Sequence, residues 1–236
     1  ISAESGVSRP FGKRWKGSAT GVLEVLETTE NAITTQNVVA AFPLIALYDG
    51  SNDPFDPSKG YKLEFKLEPA AITLDNTDFL ATFSMGGSVY HDLLGDKTLI
   101  AAARSRAAFI LGPARDRIPA SRRLYAGGGG SIRGFEFQSV GPLDAGNDPE
   151  GGRSSLEFGV ELRWRITDDI GIVPFIDGGS AFEDPSPDFT DFRFAAGLGL
   201  RYYTPIGPLR LDVAAPLNPR EQDNLFEFYI SIGQAF

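Results

Sequence analysis

The sequence predicts an all-β protein, an antiparallel transmembrane β-barrel with about eleven strands, from three observations. First, apolar and polar residues alternate through many segments close to the roughly 9–11 residues that a tilted membrane strand needs. Second, no run approaches the roughly 18–20 apolar residues of a membrane helix, and no segment with a helical period competes. Third, short turns alternate with longer connections, as in bacterial barrels.

Six strands are predicted before a long segment rich in Gly, Pro and charge at 112–154, and five after it. In chain order we predict strands at 1–9, 17–26, 38–48, 60–70, 78–91, 98–111, 155–165, 170–182, 192–203, 207–215 and 225–236. The turns at 166–169 and 204–208 are short, whereas 49–60 is unusually long for the same side of a barrel.

The alternation assigns a face to each side chain, because neighbouring residues of a strand point in opposite directions. In 61–68 the odd positions are apolar and the even positions are Lys or Glu. In 155–165 one face holds Leu156, Phe158, Val160, Leu162 and Trp164, and the other holds Ser155, Glu157, Gly159, Glu161, Arg163 and Arg165. In 192–203 the apolar face opposes Arg193 and Arg201, and the final segment places Phe226, Phe228, Ile230, Ile232 and Phe236 on one face.

A soluble β-sandwich or β-solenoid would also alternate. Two features favour the membrane barrel. Large aromatic residues and Leu continue along the apolar face of each strand, and the sequence reaches Phe236 directly after an alternating segment. We therefore expect the apolar faces to contact lipid and the charged faces to line a polar lumen.

The composition excludes several kinds of partner. The formal net charge of −9 argues against nucleic acid, which binds basic surfaces. The absence of Cys excludes disulfides and thiolate metal sites. The first residue is Ile1, so we expect a processed or truncated N-terminus.

Other candidate sites are weak. Ser88, His91 and Asp92 contain the residue types of a hydrolytic triad, but nothing in the sequence shows that they converge, and we expect His91 to be an interfacial residue at a strand end. The acids at 49, 53 and 56 lack the spacing of an EF-hand, so solvated turn residues are expected. The Gly-Leu-Gly at 197–199 precedes no helix and is no nucleotide fingerprint. We expect no enzyme activity, cofactor or metal.

Residues 125–135, Tyr-Ala-Gly-Gly-Gly-Gly-Ser-Ile-Arg-Gly-Phe, resemble the loop-6 signature of the BamA/TamA superfamily of outer-membrane assembly and translocation barrels. Further matches follow in the family's order, at 155–158, 175–179, 197–212 and 228–236. The resemblance covers most of the chain, and its ordered motifs are far more specific than Arg-Gly-Phe alone.

The resemblance implies a sixteen-stranded barrel in the outer membrane of a Gram-negative bacterium, with five strands after loop 6. Residues 1–236 would then be the C-terminal part of the barrel, strands 6 to 16, with an extracellular loop 6 at about 112–154. The first strands and the periplasmic POTRA repeats would be missing, so we expect a fragment of a longer polypeptide.

The site that we predict is the loop-6 motif with its lumen partners. The Gly run allows the loop backbone to approach the barrel wall closely. If the loop folds into the lumen, the permanent charge of Arg133 needs acidic partners there. Strand parity places Glu157 and Asp177 among the candidates on the lumen face, together with Phe175, on which an Arg can stack. The resemblance implies the same partners. A solvated loop Arg is the alternative. The motif residues are Gly130, Ile132, Arg133, Gly134 and Phe135.

The resemblance implies a TamA-like factor that inserts or translocates autotransporters and other barrel proteins through a lateral seam, in contact with outer-membrane lipid. A periplasm-spanning partner of TamB type is expected. The terminal assembly signal and seam would comprise Phe228, Ile230, Ile232, Gly233 and Phe236. A BamA-type assembly protein, a two-partner secretion transporter and a passive porin are the alternatives. The number of POTRA repeats upstream, three for TamA, five for BamA and two for a secretion transporter, would distinguish the first three.

Overall fold

The computed structural model describes residues 1–30, 33–73, 77–205 and 207–236. In this part of the chain twelve strands form one antiparallel sheet, which confirms the predicted fold class. In chain order they are β1 (Ser2–Phe11), β2 (Trp15–Glu30), β3 (Ile33–Ala41), β4 (Leu44–Asp49), β5 (Gly60–Thr73), β6 (Thr77–Asp92), β7 (Leu99–Leu111), β8 (Ser154–Arg165), β9 (Ile170–Phe182), β10 (Arg193–Tyr202), β11 (Leu209–Pro216) and β12 (Glu227–Ile232). No helix in these ranges is long and apolar enough to cross a membrane.

The strands follow one another across the sheet, and β3 and β4 share one position. Both pair with β2 on one side and β5 on the other. The predicted strand 38–48 is therefore divided at Phe42 and Pro43, where Pro has no N–H to donate. The neighbouring strands bridge the interruption, since Thr20 N donates to the Pro43 carbonyl at 3.0 Å and Phe42 N to the Pro69 carbonyl at 2.9 Å. Eleven strand positions result, as predicted.

The last strand is shorter than predicted. The segment 225–236 contributes only Glu227–Ile232. The strand ends at Ile232 because Gly233 has a left-handed φ of 93° and the chain leaves the sheet there. Of the predicted turn 204–208, Ile206 lies outside the described residues. In the described part of the chain, β1 and β12 each pair with a single neighbour and form the two edges of the sheet.

The burial pattern is the reverse of that of a soluble protein. On β8 the charged residues Glu161 and Arg163 are buried, whereas Val160, Leu162 and Trp164 are exposed. Exposed aromatic residues also cluster near the strand ends that border the turns 12–14, 50–59, 166–169 and 203–208: Trp15, Tyr61, Trp164 and Tyr202. An apolar outer band with an aromatic girdle at its border is the surface that a barrel presents to a bilayer.

Loop 6, residues 112–153 between β7 and β8, packs against the concave face of the sheet. It contains two short 3₁₀ turns, Arg115–Arg117 and Ala120–Arg122. Its side chains enter two apolar clusters. Ile118 joins a cluster with Val39, Ala41, Ala70, Ile72, Leu80 and Ile110. Farther along the loop, a second cluster contains Ala126, Ile132, Phe135, Val140, Ala181 and Ala195. The loop is thus part of the interior.

Candidate functional site

Glycines give the tip of loop 6 its close approach to the barrel wall. Gly127, Gly128 and Gly134 adopt left-handed φ values of 108°, 98° and 96°, which side chains rarely adopt. A tight turn forms between them, where Ser131 N donates to the Gly128 carbonyl at 3.0 Å. A Cβ atom on Gly134 would lie only 2.6 Å from the Cβ of Ala195. The turn therefore delivers the intervening Arg133 directly onto the strands.

Arg133 is completely buried and bonds to three carboxylates. Its Nε and Nη2 donate to the two oxygens of Asp177 at 2.7 and 3.0 Å, and its backbone N–H donates to Asp177 Oδ2 at 3.1 Å. Nη1 donates to Glu161 at 2.7 Å and to Asp212 at 2.9 Å. Paired N–H donors facing the two oxygens of one carboxylate are the geometry that a guanidinium provides and an ammonium does not.

Phe175 forms the floor of this site. The Arg133 guanidinium carbon lies 3.4 Å from the centre of the Phe175 ring, a cation–π contact away from solvent. Phe175 occupies a lumen-facing position, where a large aromatic residue is otherwise unexpected in a polar interior. Gly197, its partner on β10, leaves room for it, since a Cβ atom there would lie 2.3 Å from the ring.

Further arginines balance the buried acids. Arg163 Nε donates to Glu161 at 3.0 Å, and Arg201 Nη1 donates to Asp212 at 2.5 Å. Burial by itself lowers the pKa of Arg133, but hydrogen bonding to Asp177 and the charges of Asp177, Glu161 and Asp212 raise it above its ordinary value. The guanidinium therefore keeps its charge inside the lumen, and Glu161, Asp177 and Asp212 each have a cationic partner.

The structure brings Arg133, Phe175 and Asp177 together and differs from the expectation at Glu157. Glu161, on the same face of β8, is the carboxylate that Arg133 contacts. Glu157 instead lines a lumen cavity beside Arg104, Arg106 and Gly130. Both glutamates have the same parity, so alternation alone does not distinguish them. The depth to which the loop enters the lumen decides between them.

Tyr229 on β12 and Asp212 on β11 also belong to the site and were not among the predicted partners. The Tyr229 hydroxyl accepts from Gly134 N at 2.9 Å and donates to the Phe135 carbonyl at 2.8 Å. Its ring lies against Gly129, where a Cβ atom would come within 2.7 Å. Both residues lie on the polar faces of their strands and pair with each other in the sheet. Their position on the polar, lumen-facing side of each strand was the feature of the sequence that could have identified them.

The terminal residues divide between the two faces. Phe228, Ile230 and Ile232 are exposed on the outer face of β12. Phe236, expected on the same face, lies in the lumen, because the chain turns at Gly233. Its carbonyl accepts from Arg163 Nη2 at 2.8 Å, and its ring stacks near Tyr90 with 6.5 Å between ring centres.

The remaining candidate sites have other partners. Ser88 Oγ is hydrogen-bonded to Tyr90 OH at 2.7 Å, and Asp92 accepts backbone N–H groups of Gly95 and Lys97, whereas His91 is exposed on the opposite face. In the turn 50–59, backbone N–H groups lower the pKa of Asp53. Within the described ranges, no group of three or more His, Cys, Asp or Glu residues could hold a metal ion.

Comparisons with known proteins agree with this architecture. The family model described as the Omp85 superfamily domain matches residues 6–236. The outer membrane protein assembly factor BamA of Nitratidesulfovibrio vulgaris is 31% identical over 157 residues, which cover 62% of this chain and 19% of that protein. BamA of Neisseria meningitidis serogroup B is 24% identical over 153 residues, covering 50% and 19%. The chain thus spans about a fifth of the length of these curated relatives.

Two solved structures share the fold. The crystal structure of BamA from Haemophilus ducreyi lacking POTRA domains 1–3 is 16% identical, with a TM-score of 0.68 over 96% of this chain and 61% of that chain. CdiB from Acinetobacter baumannii is 17% identical, with a TM-score of 0.63 over 99% and 42%.

Proposed function

Because this chain belongs to the Omp85 superfamily, an outer-membrane family, we propose that it acts as the barrel part of a factor that assembles or translocates other proteins. The observation that carries the proposal is the buried site that holds loop 6 through Arg133. A purely passive pore has no need to bury a guanidinium among three carboxylates. The site keeps a long loop in the lumen.

The lateral seam is the second part of the proposal. Strand β12 has six residues, fewer than the roughly 9–11 of a full membrane strand, so it forms few backbone hydrogen bonds with a neighbour. A short edge strand separates at low energetic cost, and a client strand can pair with the exposed edge. We propose barrel proteins or secreted polypeptides as clients. The process requires no cofactor, nucleotide or catalytic residue.

The experiment substitutes Arg133 in the full-length protein. We expect Arg133→Ala to reduce assembly of client barrel proteins in cells that depend on the variant, while the protein still reaches the outer membrane. Arg106→Ala is the matched control, because Arg106 lines the lumen cavity outside the Arg133 site. Normal client assembly with Arg133→Ala, together with a large single-channel conductance of the unsubstituted protein, would favour a passive channel.

Among the family's activities we favour the TamA type, with autotransporters as clients and a periplasm-spanning partner of TamB type. The short connection 183–191 and the segment 207–217 support this preference. A BamA-type assembly protein remains the main alternative, and a two-partner secretion transporter is the third. Loss of autotransporter display without loss of other barrel proteins, on removal of the full-length protein, would favour TamA. Loss of all barrel proteins would favour BamA.

A further inference from the structure

Loop 6 also contacts the wall of the sheet opposite the Arg133 site. Arg122 ends the 3₁₀ turn Ala120–Arg122 and points toward the first strands. Its Nη1 donates to Glu68 on β5 at 2.5 Å, and its Nη2 donates to Glu24 on β2. One side chain of the loop therefore joins two strands that are separated in the sheet by β3 and β4.

Burial distinguishes this contact from a surface ion pair. Glu68 is only 6% exposed, and Lys66 Nζ lies 2.6 Å from its second carboxylate oxygen. Glu68 thus has Arg122 on one side and Lys66 on the other. A buried carboxylate that loses one of its partners is much costlier than an exposed one.

Apolar packing fixes the same part of the loop. Ile118 is fully buried in the cluster formed by Val39, Ile72, Leu80 and Ile110 on the inner wall. Arg123 Nε donates to the Ile118 carbonyl at 2.8 Å, and Arg122 N donates to the carbonyl of Pro119, the residue after Ile118, at 2.8 Å. These local bonds hold Ile118 and Arg122 in a fixed relation, so the apolar contact and the ion pairs act together.

We propose that Ile118 and Arg122 form a second anchor of loop 6, with Arg122 as its positioning residue. The second anchor attaches the first half of the loop to β2 and β5, and Arg133 attaches the second half to β8, β9 and β11. Within the described residues, β2 and β11 lie far apart in the strand order of the sheet. The loop therefore connects distant strands across the interior and maintains the curvature between them.

Hydrogen exchange measured by mass spectrometry on the full-length protein in lipid vesicles tests the proposal. We expect Arg122→Ala to accelerate exchange of the backbone amides in 113–126 by about tenfold or more, because a hydrogen bond to a charged group stabilises the closed state by at least that factor. The amides around Arg133 should keep their protection, since their own anchor is intact.

Arg117→Ala is the matched control. Arg117 lies in the same segment and forms an ion pair with Asp78 at 2.6 Å, but its side chain is half exposed. We expect little change in exchange, because exposed pairs contribute little. Arg122→Lys, which keeps the charge, should restore part of the protection.

Equal exchange in the Arg122→Ala and Arg117→Ala proteins would overturn the proposal, as would a uniform acceleration across the barrel. If Arg122→Ala does not fold, Glu24→Ala decides, because it removes the acceptor of Arg122 Nη2 and leaves Glu68 paired. Faster exchange confined to 113–126 in Glu24→Ala would support the anchor, and unchanged exchange would refute it. None of these readouts depends on the proposed assembly activity.

Discussion

Arg133 combines several properties that no other side chain offers together. Two N–H groups of its planar guanidinium pair with the carboxylate of Asp177, and the remaining donors bind Glu161 and Asp212. The plane of the guanidinium also stacks on the Phe175 ring. A lysine would keep the charge but would lose both the paired hydrogen bonds and the flat stacking surface. Loss of the charge would leave buried carboxylates with fewer partners, a change that costs about 3–5 kcal/mol in comparable cases. We therefore expect Arg133 to contribute strongly to holding the tip of the loop in the lumen.

The glycine next to Arg133 should also be sensitive to substitution. Gly134→Ala places a methyl group 2.6 Å from the Ala195 Cβ atom and forces a left-handed φ on a residue with a side chain. We expect a loss of about 1–3 kcal/mol in the free energy of unfolding. The measurement is urea unfolding of the full-length protein, in which the folded fraction is read from the heat-induced mobility shift in gel electrophoresis. Gly130→Ala, where nothing lies within 4 Å of the added atom, should have little effect. Equal losses in the two variants would contradict the explanation.

Tyr229 should connect the motif to the last strand. Tyr229→Phe removes the acceptor of Gly134 N–H and the donor to the Phe135 carbonyl. We expect about 1–3 kcal/mol of destabilisation, since partly buried groups lose their partners. Exchange of the amides in both 227–232 and 129–136 should accelerate. Tyr202→Phe, on the exposed outer face of β10, is the control. Acceleration in only one of the two segments would show that the hydroxyl does not couple them.

At the scale of the strands, the bounds predicted from the sequence were most accurate where lipid and lumen alternate regularly along the whole strand. The strand predicted at 155–165 differs from Ser154–Arg165 by one residue, because lipid and lumen impose the same alternation along its whole length. The break after Ala41 and the end of β12 at Ile232 depend on single residues, Pro43 and Gly233, within otherwise continuous patterns. The choice of Glu161 over Glu157 depends on a loop packed from another part of the chain. The alternation of residues along β8 therefore carries no information about this choice.

The end of β12 gives a test of that explanation. Gly233 has a φ of 93° with open space around its Cα atom, so conformation rather than crowding requires glycine. We expect Gly233→Ala to extend the strand and displace 234–236 from the lumen. This displacement would break the hydrogen bond between Arg163 Nη2 and the Phe236 carbonyl. Hydrogen exchange of the peptide 227–236 measures the change. Gly233→Asn should behave almost like the unsubstituted protein, because Asn tolerates left-handed backbone. If both substitutions change exchange equally, backbone conformation is not the cause.

For the whole molecule, the alternation explains why an acidic chain of modest hydropathy can lie in a membrane. The net charge is −9, yet the acids that would be costly in lipid, such as Glu161 and Asp177, face inward beside arginines. Sequence parity predicted this separation of faces. The second anchor at Arg122 was not predicted, because its partners Glu24 and Glu68 lie far away in sequence and their faces contain other charges.

The outer face supplies the final prediction, which concerns the bilayer itself. Val160 lies near the middle of β8, 53% exposed, between Ala103 and Ile176 of the neighbouring strands. We expect Val160→Arg to cost about 2–4 kcal/mol in the free energy of unfolding from lipid vesicles, because the guanidinium would enter the bilayer near its midplane. Val160→Leu should be nearly neutral at the same position. The measurement is reversible urea unfolding of the full-length protein in vesicles. If both variants unfold at the same urea concentration, Val160 faces water, and the outer face of β8 does not contact lipid.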